Sequence, residues 1–167
     1  MQWKRALRHL LSTRGDLNRA FPPAALDAIE RATAASERRH SGEVRFAIES
    51  ALDPFDALRG LAPRARALQL FGELGVWDTE HNNGVLVYVL LADRDVEIVA
   101  DRGLNGRVSA AEWTAVCGAM EAAFREGRHE AGALEGLRRI DELLAREFPA
   151  VAGARNPDEL SNRPVML

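Results

Sequence analysis

The stretch GVLVYVLL, residues 84–91, decides the fold of this 167-residue chain, because it is almost wholly apolar and rich in valine. Such a run is typical of a central strand that is covered on both faces. The polar sequence ADRD at 92–95 predicts a tight turn, and residues 96–100 predict a returning strand. These two strands are therefore expected to form a β-hairpin.

A further strand is predicted upstream, where Val44, Phe46 and Ile48 alternate with the residues at 43, 45, 47 and 49. This period of two is typical of a strand with one apolar face. A helix over about 64–74 would connect it to the central strand, and such a crossover is right-handed and makes the two strands parallel. The returning strand is then antiparallel to the central one. The sequence thus predicts an α/β fold with a small mixed sheet.

Other helices are predicted around this sheet. One begins after the two prolines at 22–23 and runs to about 39, and another begins at the capping box formed by Ser109 and Glu112. A last helix covers about 130–147, whereas the stretch between Pro54 and Pro63 is expected to be irregular. The residues predicted to face inward from the crossover helix are Leu68, Phe71 and Leu74.

Two terminal segments are predicted to lie outside the main domain, which would span 21–149. Residues 1–20 are predicted to form a basic amphipathic helix, with one apolar face and basic residues opposite. That helix could lie on a membrane surface, bind a partner, or simply dock on the domain. Residues 150–167 have no apolar periodicity and are predicted to be a flexible tail. The apolar face of the N-terminal helix consists of Trp3, Leu7, Leu10 and Leu11.

Composition limits the kinds of partner, covalent cross-link and cellular location to be expected. The net charge of −3 gives no reason to expect a nucleic-acid partner, and the single cysteine, Cys117, excludes an intramolecular disulfide. The N-terminus does not resemble a secretory signal, and the longest apolar run, 85–92, is too short to cross a bilayer. We therefore expect a cytoplasmic protein without a transmembrane segment.

Three segments that are distant in sequence are expected to meet at one edge of the sheet. The first strand begins there, the central strand begins there and the returning strand ends there, while the loop 77–81 hangs over the same edge. The oxygen-bearing side chains gathered at this edge belong to Glu43, Asp78, Glu80, Asn82, Asn83 and Asp101. Oxygen-only ligand sets suit Ca²⁺ or Mg²⁺ and do not suit zinc or copper. The predicted metal ligands are Glu43, Asp78, Asn83 and Asp101.

Ordinary turn chemistry explains part of the same pattern. The Asn-Asn-Gly sequence at 82–84 is common before a strand, and Asp101 could cap the loop that carries Gly103. The polar residues 93–95 fall at the opposite edge and are predicted to be only a hydrophilic hairpin tip. Both interpretations of the edge stay open at this point.

The order and spacing of several short motifs resemble the TPM domain family, over about residues 30–148. The resemblance implies a three-layer α/β/α sandwich with a divalent-ion site at one sheet edge. The motifs that carry it are SGE at 41–43, NNGVLV at 82–87, DRDVEIV at 93–99, Gly103-Leu104, Trp113 and FREG at 124–127.

The resemblance also implies what the edge residues would do. Family members have been linked to calcium binding and to acid phosphatase activity, so Ca²⁺ or Mg²⁺ is the candidate cofactor. Glu43 matches the acidic residue that opens the first strand of the family. Asn83 stands where relatives often have aspartate, and Asp101 stands where they frequently have a different residue.

Two functions are compatible with these residues. A metal-dependent acid phosphatase acting on phosphomonoesters would use Glu43 or Asp101 as general acid or base and Arg102 to neutralise phosphate charge. A non-catalytic module would bind a divalent metal, or contact a protein partner through the N-terminal helix or the loop 76–83. The second interpretation is favoured, because the sequence contains neither a nucleophile in a recognisable setting nor a glycine loop that would cradle phosphate.

Overall fold

A mixed sheet forms the middle layer of the computed structural model, which describes residues 2–152 and 159–167. Within those ranges the sheet has four strands in the order β3-β2-β1-β4. β1 is parallel to β2 and to β4, and β2 is antiparallel to β3, which confirms the predicted directions of the first three strands. The strands are β1 (Glu43–Glu49), β2 (Gly84–Leu90), β3 (Asp95–Ala100) and β4 (Val165–Met166).

Helices cover both faces of this sheet, and the fold is the expected α/β sandwich. Val44, Phe46 and Ile48 of β1 pack into one core with the helices that flank the sheet on that side, whereas Ala47 faces a second core on the other side. All seven residues of β2 are buried, as expected for a central strand. The helices are α1 (Gln2–Leu11), α2 (Arg14–Ala20), α3 (Pro23–Ser36), α4 (Pro54–Arg59), α5 (Pro63–Glu73), α6 (Ala110–Arg125) and α7 (His129–Glu147).

The N-terminal segment differs from the predicted single helix. It contains two helices, because Thr13 caps α2: its hydroxyl accepts from the Asp16 backbone N–H, and the Asp16 carboxylate accepts from the Thr13 N–H. Leu17 of α2 is buried in the same core as Phe21, which ties this segment to the domain.

The stretch predicted to be irregular contains α4. Asp53 caps this helix by accepting from the Phe55 backbone N–H, and Gly60 ends it in a left-handed conformation with a φ of 84°. In α5 the inward residues are Ala67 and Leu70, whereas Leu68 is exposed. Phe71 and Leu74 pack against the second core as predicted. Leu68, by contrast, lies about 100° around the helix from Ala67 and falls outside this face.

The C-terminal prediction of a flexible tail is wrong for the described part of that segment. Val165 pairs with Ala47 and Met166 with Ile48, so β4 extends the sheet beside β1. Leu160 is buried in the second core. A strand of only two residues is too short to show the alternation of apolar and polar residues by which strands are predicted from sequence. Residues 153–158 of the predicted tail lie outside the described residues.

Candidate functional site

The pairing of the strands places Glu43 and Asp101 on one row at the edge of the sheet. Glu43 is paired with Gly84, and the Gly84 carbonyl accepts from the Asp101 backbone N–H at 2.9 Å. Neighbouring strands lie about 4.8 Å apart, so two strand spacings separate the two backbones. We call this row, together with the loop 76–83 above it, the edge site.

Gly84 is required because the loop crosses directly over it. A Cβ atom built at Gly84 would lie 2.1 Å from the carbonyl oxygen of Val76. No side chain fits in that space, so glycine allows the loop to approach the sheet between Glu43 and Asp101. The Val76 carbonyl thereby adds a backbone oxygen to the edge site.

Asp101 has one carboxylate oxygen engaged and one without a partner. Its Oδ1 accepts from the Arg102 backbone N–H at 2.7 Å, which caps a single 3₁₀ turn over Arg102–Leu104. Its Oδ2 has no hydrogen-bond partner among the described residues, and water does not reach it easily because the residue is only 9% exposed. A buried carboxylate oxygen of this kind is rare in native proteins and is consistent with a site for an ion or a water.

Glu43 is fully buried beside the C-terminal segment. Its Oε2 accepts from the Leu160 backbone N–H at 3.3 Å, a contact that joins residues 117 positions apart. The same segment also reaches the loop, because the Glu159 carboxylate accepts from the Glu80 backbone N–H at 3.1 Å. Residues of the predicted tail therefore cover part of the edge site.

Asn83 ties the loop to the start of β1. Its Nδ2 donates to the Ser41 carbonyl at 3.1 Å and its backbone N–H donates to the Thr79 hydroxyl at 3.1 Å. Arg102, the predicted phosphate-binding residue, is exposed and donates from Nε to Asn82 Oδ1 at 2.9 Å. The two amide side chains thus stabilise the loop, and each amide oxygen already accepts a hydrogen bond, from Thr79 in Asn83 and from Arg102 in Asn82.

Asp78 is exposed on the loop. In residues 2–152 and 159–167, no group of three or more histidine, cysteine, aspartate or glutamate side chains is placed to hold a metal ion. The edge site has Glu43 and Asp101 on strands two spacings apart, with the Val76 carbonyl over Gly84 on the strand between them. Asp78 belongs to no such cluster among the described residues.

A second polar cluster lies at the opposite edge, where the sequence predicted only a hydrophilic tip. Asp93 accepts from Arg5 Nε at 2.9 Å and Nη2 at 2.7 Å, and from Arg8 Nη2 at 2.9 Å. Burial raises the pKa of Asp93, but the contacts with Arg5 and with His9 outweigh this effect and hold the pKa below its usual value. Contacts over more than 80 residues leave no local sequence signal, so sequence reasoning missed this cluster.

His9 joins the same cluster in a defined tautomer. Its Nδ1 accepts from the Leu52 backbone N–H at 3.0 Å, so the ring proton lies on Nε2, which is 3.1 Å from Asp93 Oδ1. Burial lowers the pKa of His9, and the nearby Asp93 only partly opposes this effect. The cluster fastens α1 to the turn between β2 and β3.

Comparison with known proteins agrees with this architecture. Residues 16–143 match the TPM domain family. The BA42 protein from the psychrophilic bacterium Bizionia argentinensis is 29% identical with a TM-score of 0.74, over 86% of this chain and 92% of that one. The N-terminal domain of a protein from P. gingivalis is 22% identical with a TM-score of 0.60, over 75% of this chain and 77% of that one, and shares the fold. No curated protein matches the chain. The chain belongs to the TPM domain family.

Proposed function

We propose that this TPM domain is a non-catalytic binding module that takes Ca²⁺ or Mg²⁺ at the edge site. The observation that carries the proposal is the buried Asp101 Oδ2, which has no hydrogen-bond partner among the described residues. Burying a carboxylate oxygen without a partner is costly unless a cation or water satisfies it. A cation bound there would remove that cost.

The donors at the edge site fit a hard cation that keeps much of its water. Mg²⁺ is commonly held by one or two carboxylates plus waters, and Ca²⁺ also accepts backbone carbonyls. Asp101 would supply the first carboxylate and Glu43 the second, with the Val76 carbonyl between them. Asp78 is exposed and Asn83 is engaged in hydrogen bonds that stabilise the loop, so neither is part of the proposed ligand set. A site with so few protein ligands is expected to bind the cation weakly, with the affinity of extracellular calcium-binding modules and not that of tight cytosolic calcium buffers.

Binding at this position would act on the loop 76–83. Trp77 on that loop is exposed, although it is a large aromatic side chain. A cation that ties the loop to Asp101 would fix the position of Trp77 and present it to a protein partner. This is the interaction part of the proposal, and the cytoplasmic location stays a prediction.

Calorimetric titration of the full chain with CaCl₂ and with MgCl₂ tests the cation site. Asp101→Asn keeps the Oδ1 acceptor for the Arg102 N–H and removes the charge, so it should weaken binding at least about tenfold, or 1.4 kcal/mol. Glu130→Gln, an exposed carboxylate at the start of α7, is the matched control and should bind like the wild type. If the wild type gives no heat and no thermal shift at millimolar cation, or if Asp101→Asn binds equally well, the proposal fails.

Phosphomonoester hydrolysis is the alternative function, and the observation that favours it is the exposed Arg102 next to Asp101. In that case Glu43 or Asp101 would move a proton and Arg102 would hold the phosphate. The same proteins assayed with p-nitrophenyl phosphate and Mg²⁺ separate the two functions. Turnover that Glu43→Gln, Asp101→Asn and Arg102→Ala each abolish would replace the binding module with the enzyme.

A further inference from the structure

The apolar face of α1 points to solvent, whereas the part of its basic side that carries Arg5 and His9 contacts the domain. Trp3 is 60% exposed, Leu10 64% and Leu11 67%, and Leu7 is also exposed. The side that contacts the domain carries His9, which is buried, and Arg5, whose side chain is 17% exposed. An amphipathic helix on a globular domain ordinarily buries its apolar stripe. Here the ion pairs with Asp93 fix the opposite orientation.

The exposed apolar surface continues onto α4, which packs against α1. Phe55 is 71% exposed and Leu58 is also exposed. Of nine large apolar side chains that are exposed in the described part of the chain, six belong to these two helices. A concentration of this kind marks an interaction site, whereas scattered single residues do not. We call these six residues, Trp3, Leu7, Leu10, Leu11, Phe55 and Leu58, the outer face.

Cations border the part of the outer face that belongs to α1. The sequence of α1 contains no acidic residue. A groove of about 430 Å³ beside α1 is lined by Lys4 and Arg8 together with Leu7 and Leu11. An adjoining cleft of about 450 Å³, which shares Asp16 and Leu91 with the groove, is lined by three further arginines. Those arginines are Arg19, Arg94 and Arg125.

Arg94 is an exposed cation in the turn between β2 and β3. It has a φ of 55°, a left-handed conformation that is uncommon for residues with a side chain. Arg19 and Arg125 pair with acidic residues of their own helices. Arg94, by contrast, has no ion-pair partner within residues 2–152 and 159–167, so its charge is available to a ligand.

We propose that the outer face is a membrane-surface anchor that lies on an anionic phospholipid bilayer. The apolar side chains would enter the boundary between headgroups and acyl chains, where tryptophan is favoured. Lys4 and Arg94 would face the lipid phosphates, which attract juxtamembrane cations. No helix in the described ranges is long and apolar enough to cross a bilayer, so the contact lies on the surface.

The charge pattern favours a bilayer over another protein. Lysine is depleted in protein interfaces, and Lys4 borders the leucine side chains of α1 with no carboxylate partner in the described part of the chain, as Arg94 does at the adjoining cleft. A second copy of the chain, docked around a twofold axis, would bring the same cations against one another. An anionic bilayer instead supplies phosphate to every cation and an apolar phase to the outer face. The overall charge of −3 does not prevent this, since charges beyond about 8 Å are screened in physiological salt.

Co-sedimentation of the full chain with vesicles tests the anchor. The vesicles contain phosphatidylcholine alone or mixed with phosphatidylglycerol, and EDTA is present throughout, so that the result does not depend on the cation site. We expect binding to the anionic vesicles, with a blue shift of tryptophan emission that Trp3→Phe removes. Binding should weaken as salt is raised, because phosphate contacts are electrostatic.

Matched variants identify the surface. Leu10→Glu and, separately, Leu11→Glu should each weaken binding at least about tenfold, because burying one leucine contributes that much. Leu68→Glu on α5 replaces a leucine of similar exposure away from α1 and should bind like the wild type. All three should keep the thermal unfolding midpoint of the wild type, since the replaced residues are exposed. Arg94→Ala should weaken binding to the anionic vesicles alone.

Three results would overturn the anchor. The wild type could fail to sediment with phosphatidylglycerol vesicles, or Leu68→Glu could weaken binding as much as Leu10→Glu does. A concentration-dependent dimer without lipid, lost in Leu10→Glu, would assign the outer face to a second copy of the chain instead.

Discussion

Removal of the Asp93 carboxylate should detach α1 while the sheet stays folded. In the Asp93→Ala variant Arg5 loses two charge-assisted hydrogen bonds, at 2.9 and 2.7 Å, and remains mostly buried. Breaking a buried pair by removing one partner costs about 3–5 kcal/mol. Arg8 is half exposed and adds little. We expect a loss near the lower end, about 3 kcal/mol, because Arg5 can regain water when α1 detaches.

Hydrogen exchange gives a direct readout of this local event. The Leu52 backbone N–H donates to His9 Nδ1, so its protection depends on α1 being docked. A loss of about 3 kcal/mol corresponds to exchange that is faster by about a hundredfold. Amides of β2, which pair within the sheet, should keep their protection.

Two controls separate local from general destabilisation. Asp27→Ala removes an exposed pair with Arg163 and should change stability by less than about 0.5 kcal/mol. A double-mutant cycle with Arg5→Ala should show a coupling energy above about 1 kcal/mol. If Asp93→Ala leaves Leu52 exchange unchanged, or if β2 amides lose as much protection as Leu52, the assigned role of Asp93 is wrong.

Three other changes have outcomes that follow from the structure. Protonation of His9 at Nδ1 would remove the lone pair that accepts from the Leu52 N–H. Because burial lowers the pKa of His9 below 6.5, docking of α1 should be complete above pH 6.5 and should weaken as the pH falls below that value. Hydrogen exchange of the Leu52 amide, corrected for its intrinsic rate, measures this change. Gly84→Ala would place a Cβ 2.1 Å from the Val76 carbonyl and should cost about 3 kcal/mol in urea unfolding. Burial, reinforced by nearby carboxylates, raises the pKa of Asp95 to about 6, so its charged form opposes folding as pH rises from 3.8 through 6. Asp95→Asn should therefore raise stability at pH 7 by about 1 kcal/mol, after discounting for partial exposure, and have no effect near pH 3, as thermal unfolding at both pH values would show.

The sheet could be predicted where its residues carry a pattern of their own. β1 alternates and β2 is continuously apolar over seven residues, so their existence and direction follow from local sequence and the handedness of the crossover. β4 has only two residues, and its place is set by the free edge of β1. A segment that short is ordered by its partner, and no window of its own sequence reveals it.

The sequence could predict where the edge site lies but not what its side chains contact. Topology alone brings Glu43 and Asp101 to the two sides of Gly84. The side-chain roles depend on contacts between distant segments, such as the Leu160 N–H that binds Glu43. Asp78 illustrates the limit, since it lies on the loop 76–83 but is exposed, and no carboxylate cluster of the described residues includes it.

The orientation of α1 follows from one carboxylate 88 positions away. The helical period tells which residues share a face, but the free energy of docking decides which face turns inward. Arg5 and His9 are four residues apart and therefore lie on one side of α1, where both reach Asp93. Turning the apolar face of α1 inward would leave the buried Asp93 carboxylate without both partners, at a cost of about 3–5 kcal/mol. The exposed outer face is therefore a consequence of Asp93, and an apolar residue at that position would remove the reason for it.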